Sequence, residues 1–241
     1  MTIDFDTHTR EQSARFGEVL RDADPAARVP TCPDWNAGDL LYHLAEVHYF
    51  WATIVRDRIT DEAVVDGEVE AAKPARPDDH GELSALYERT TSDLLEVLQA
   101  ADDATPVWMW APDESVGFVR RFQAHEALFH RVDAELAAGA EVTPLPEELA
   151  VDGIDVVLRM QKTWRPGWAD WNVDGPIGRI ETTDTGDDWT VAIGTWSGHS
   201  PDTGKTYDGE YALEVLDAGE PTFTIRGTAA AVDAWLWGRP G

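Results

Sequence analysis

The sequence predicts an α+β chain: a four-helix bundle followed by a small α/β domain with an antiparallel sheet. Three observations carry this. Before Pro144, four stretches repeat apolar residues at helical spacing. After it, several short stretches alternate apolar and polar residues between turn signals. The change falls at Gly139 and Pro144, a helix stop and a breaker. We place residues 1–143 in the helical domain and 144–241 in the α/β domain, an order of elements typical of segregated α+β architecture.

The first helix is expected over about 8–23, with Phe16, Val19 and Leu20 on one face. Pro30 and Pro33 interrupt the chain after it. Asn36 with Asp39 three residues on resembles a capping box, and a second helix over about 37–57 should follow. Residues 59–82 are acidic and contain prolines, which predicts an exposed linker. A third helix fits the run of Leu83, Leu86, Leu94, Leu95 and Leu98, and a fourth spans about 117–138. In the second half a helix is expected over about 147–163. Strands are expected at IGRIETT, WTVAIGTW, TYDGEYALEV and PTFTIRGT, with a closing helix in AAAVDAWLWGR.

Composition excludes several classes of function. With 241 residues, 43% apolar content and 11 tryptophans, the chain can build a packed core. It carries 46 acids against 19 bases, a formal charge of −27. The summed field repels phosphate, which argues against nucleic acid and anionic membranes as partners. Cys32 is the single cysteine, so no internal disulfide forms and a reducing, cytoplasmic setting is expected. No signal peptide or membrane span is expected, and a monomer is the default.

Two helical stretches carry the residues with chemistry. Glu126 and His130 are four apart and share a helix face. His43 stands among Leu40, Leu41, Leu44 and Val47. Two imidazoles and a carboxylate meeting inside a bundle would make a three-ligand metal site with open positions. Each residue also has a plainer explanation: a hydrogen-bonded core histidine at 43, and a surface pair at 126 and 130. His48, about 140° round the helix from His43, should stay out of such a site. His125 should point away, and His8, His80 and His199 read as surface residues. Asp133, three residues after His130, is placed to accept a hydrogen bond from it. Arg120 or Arg121 could pair with acids in the bundle, Trp35 should staple a helix start, and Cys32 reads as a small buried residue. Trp164, Trp168 and Trp171 read as packing residues.

The segments VPTCPDWNAGDLLYHLAEVH, RRFQAHEALFHRVDAE and TIRGTAAAVDAWLWGR resemble the mycothiol-dependent maleylpyruvate isomerase family, within the wider DinB-like superfamily of metal-binding helical bundles. The resemblance implies a DinB-like first domain and a sterol-carrier-like second one. It implies zinc, or another divalent metal, on His43, Glu126 and His130. It also implies a basic residue of the second domain serving catalysis; Arg226 is the best match and Arg239 the second. Its thiol cosubstrate would be mycothiol, a cysteine-containing pseudodisaccharide. A thiolate would add to the cis double bond of a maleylpyruvate-type electrophile, and rotation and elimination would give the trans isomer. An S-transferase relative would release the adduct instead. The partners so implied are a low-molecular-weight thiol and a small electrophile. Two other readings stay open: a non-catalytic thiol- or ligand-binding module, and a stress-response protein acting through partners.

Overall fold

The computed structural model describes residues 3–161, 165–201 and 203–239, and divides into two compact units, Met1–Pro144 and Leu145–Gly241. In the first, α1 (Phe5–Asp22) packs on α5 (Val116–Ala137), and α2 (Ala37–Asp57) packs on α4 (His80–Ala100). Contacts of α1 with α4 and of α2 with α5 close the four-helix bundle. Leu40, Leu41 and Leu44 meet Phe16, Leu20, Leu83 and Leu86 in its core. Each long helix starts where a side chain satisfies a free N–H: Asp4, Asn36, Asp79 and Ser115 cap α1, α2, α4 and α5. At Asn36 the bond is reciprocal with Asp39, a complete capping box. Gly139, at φ 66°, takes the left-handed conformation after α5.

Residues 59–82 are not the exposed linker that their acidity predicts. Short helix α3 (Glu62–Val64) runs into a π-helical turn, Val65–Val69, whose Val65 and Val69 are buried. Two valines four residues apart put one apolar edge toward α2, and burying it outweighs the surrounding charge. The chain beyond stays tied to α2: the Tyr42 hydroxyl donates to the Pro74 carbonyl at 2.8 Å, and Arg76 pairs with Asp39.

The second unit is a sheet backed by helices α6 (Glu147–Val156), which continues as a π-helical turn through Gln161, and α7 (Ala229–Leu236). Lys162 and Thr163, at the end of the expected helix, and Trp164, expected to pack, lie outside the described residues. β1 (Asp170–Asn172) and β2 (Ile177–Thr182) lie end to end along one edge of β3 (Asp188–His199), and β4 (Thr206–Leu216) lies along the other, all antiparallel. β5 (Phe223–Gly227) corrects the expected antiparallel sheet, since it runs parallel to β2, with Ile180 opposite Ile225. Residues 217–222 carry the chain across the sheet from β4 to β5. A Cβ at Gly219 would lie 3.3 Å from Ile177 and 3.4 Å from Thr190, so a small residue suits the crossing. Ile180, Trp189 and Val191 pack with Ile154, Leu158, Val232 and Leu236. Among the described residues no helix is long and apolar enough to cross a membrane.

One carboxyl in this core is buried against backbone. A Cβ on Gly153 of α6 would stand 2.4 Å from Asp233 Oδ1 of α7. Burial raises the Asp233 pKa well above 3.8, the charge of Asp152 adds to the rise, and the Trp237 indole opposes it. Between 3.8 and that raised value the folded chain keeps a proton that the unfolded chain has lost. Stability therefore falls as pH rises through the window, by about 1.4 kcal/mol per pH unit. Asp233→Asn is expected to be more stable relative to its parent at pH 8 than at pH 5, as measured by urea unfolding. An equal difference at both pH values would show that the carboxyl is not held neutral.

Candidate metal centre

Three side chains distant in sequence meet in the bundle. His43 comes from α2, and Glu126 and His130 come from successive turns of α5. One ligand-type atom from each lies within 4.8 Å of the other two. Glu126 Oε1 is 3.7 Å from His43 Nε2 and 3.2 Å from His130 Nε2. The imidazoles stand edge to face with centroids 4.9 Å apart. The side chains of His43, Glu126 and His130 are 27%, 17% and 9% exposed, so a small molecule can reach the cluster from the His43 side.

The back of His130 is held firmly. Its Nδ1 lies 3.0 Å from Asp133 Oδ2, the contact that their spacing anticipates, and Asp133 is fully buried. Burial disfavours a charge on His130, but hydrogen bonds to Asp133 and Glu126 outweigh it and push the pKa up to about 9. Burial likewise opposes charge on Glu126. The hydrogen bond with His130 and the nearby His43 imidazole prevail and keep its carboxyl well below the usual range. The metal-free cluster is thus a carboxylate balanced by imidazolium, a place already built for positive charge.

Trp35 does not act as the expected staple alone. Its ring lies 4.7 Å from the His43 ring and 6.5 Å from that of His130, forming a wall of the site. Thr31 donates to Asp133 Oδ1 at 2.6 Å, a contact across 102 residues that no sequence pattern announces. His48 stays outside the cluster: it is buried, 2.9 Å from Thr91 Oγ1, and kept neutral by burial, which pushes its pKa down to about 3. His125 is buried with Phe5 against its edge. His8 is buried rather than on the surface, because α1 turns that face toward the bundle. Arg120 pairs with Asp6 and Asp103, and Cys32 packs on the core. In the other unit, Arg226 sits on β5 with its Nε 2.6 Å from Glu181 Oε2 and a side chain 66% exposed. Trp168 packs against Trp196 and Tyr207, and Trp171 donates to Glu214 at 3.0 Å.

Comparison with known proteins agrees with this architecture. No curated protein sequence gives a significant match. The fold is similar to the crystal structure of the mycothiol-dependent maleylpyruvate isomerase, with TM-score 0.55 and 11% identity over 97% of this chain and 87% of that one. A histidine-to-alanine mutant of the mycothiol-dependent maleylpyruvate isomerase gives TM-score 0.57 and 12% identity over the same shares. A family model, the mycothiol maleylpyruvate isomerase N-terminal domain, matches residues 7–135, a span that holds His43, Glu126, His130 and Asp133. Since that match covers more than half of the sequence, the chain belongs to the mycothiol maleylpyruvate isomerase family.

Proposed function

We propose that this protein is a divalent-metal enzyme that uses mycothiol to act on a small electrophile, by maleylpyruvate-type cis–trans isomerisation. The observation that carries the reading is the convergence of His43, Glu126 and His130 within 4.8 Å. The spacing suits a metal. Nitrogen and oxygen ligands roughly 2.0–2.1 Å from a zinc ion at tetrahedral angles lie about 3.3–3.4 Å apart. The contacts to Glu126 Oε1, 3.2 and 3.7 Å, bracket that value. Two imidazoles and one carboxylate would leave a bound divalent ion net positive, with positions open. Such an ion would lower the pKa of a thiol ligand, supplying thiolate near neutral pH with no protein cysteine.

The protein's own groups do the rest. His43 and His130 would each offer a ring nitrogen to the ion. Glu126 supplies the negative charge that holds a cation in place. With a cation bound, Asp133 would keep the remaining proton of His130 on Nδ1 and leave Nε2 to ligate. Trp35 forms an apolar wall that limits water on one side. Arg226 is the proposed anchor for a substrate carboxylate, since its exposed guanidinium can exchange Glu181 for a bidentate partner.

The test is direct. Zinc-loaded protein with mycothiol is incubated with maleylpyruvate and, separately, with a generic alkylating electrophile. Isomerised product with catalytic thiol is the expected result. A stable thiol conjugate as the main product would make the protein an S-transferase. Stoichiometric thiol binding with no product would make it a binding module. Full turnover by metal-free protein would overturn the metal-dependent reading.

A further inference from the structure

We propose that Thr31 is a positioning residue for the metal centre, acting through Asp133 on His130. The inference rests on the metal-centre reading above and adds to it a residue outside both ligand helices. Two contacts make a relay: the Thr31 hydroxyl donates to Asp133 Oδ1 at 2.6 Å, and Asp133 Oδ2 lies 3.0 Å from His130 Nδ1. Asp133 is fully buried. A buried carboxylate with free rotation about its terminal bond would hold the imidazole loosely. A bond to each oxygen fixes the plane of the carboxylate and with it the plane of the ring.

Thr31 can do this because its loop is rigid. Val29, fully buried, accepts from Cys32 N at 3.2 Å and donates its N–H to the Trp35 carbonyl at 3.0 Å. Trp35 N donates to the Cys32 carbonyl at 2.8 Å, and Ala37 N to the Ala27 carbonyl at 2.8 Å. The same short loop thus places Thr31 behind His130 and the Trp35 ring beside His43. One loop braces both histidines from outside the cluster.

The experiment compares Thr31→Val, which keeps the shape and removes the donor, with Thr31→Ser, which restores it. Zinc affinity is measured by competition with a chromophoric chelator. The His130 Nδ1–H signal is read by nitrogen-15 NMR on metal-free protein. Thr31→Val is expected to weaken zinc binding by about tenfold and to speed exchange of the Nδ1 proton, with Thr31→Ser close to the parent. Unchanged zinc affinity together with an unchanged Nδ1–H in Thr31→Val would overturn the proposal. A parent that binds no zinc would overturn the metal reading itself. The NMR comparison would then still decide whether Thr31 orders His130.

Discussion

Glu126→Gln is expected to leave the protein folded but unable to retain a divalent metal, with mycothiol-dependent turnover reduced by more than about 100-fold. Loss of an outer group that merely orients a ligand costs about 10–100-fold, and removing the shared anionic ligand must exceed that. Glu126 Oε1 lies 3.7 Å from His43 Nε2 and 3.2 Å from His130 Nε2, so one carboxylate oxygen serves both imidazoles. The amide keeps the shape but gives up the charge that pairs with His130, so the metal-free variant should be somewhat less stable while still folding. Metal content after dialysis and the rate with saturating mycothiol give the two readouts. A variant that keeps about one zinc per chain would remove Glu126 from the ligand set.

The largest effect on stability is expected one turn further along α5. Arg131 and Glu135 are both fully buried and pair at 2.8 Å. Arg131 also donates to Gln12 Oε1 at 3.0 Å and to the Thr143 carbonyl at 2.6 Å. Glu135 accepts from Arg15 at 2.9 Å and from the Thr143 N–H and hydroxyl at 2.9 and 2.6 Å. Glu135→Ala strands a buried guanidinium and is expected to cost about 3–5 kcal/mol in urea unfolding. Replacing the pair together with Met and Leu should cost much less, because no charge is then left unpaired. Burial works against ionised Glu135, but the bonds from Thr143, Arg131 and Arg15 lower its pKa below 4.5. That contribution is present above 4.5 and is lost as pH falls through the depressed folded value. The penalty of Glu135→Ala should therefore shrink in acid. A loss under about 1 kcal/mol at neutral pH would show that the network is not needed to hold residue 143 to the bundle.

What the sequence determined by itself was local. Helical phase located α2 and α5, Asn36 and Asp39 announced their capping box, and four-residue spacing put Glu126 and His130 on one face. These features depend on neighbours within a turn, which the order of residues states outright. The burial of Val65 and Val69 inside an acidic stretch was decided by α2, a surface that no window around residue 65 contains. The parallel pairing of β5 with β2 was decided by where residues 217–222 cross the sheet. The meeting of His43 with Glu126 and the reach of Thr31 to Asp133 were decided by packing across 83 and 102 residues of chain. Separation in sequence carries no distance: only the packed bundle, by burying α2 against α5, turns three side chains and a loop hydroxyl into one site.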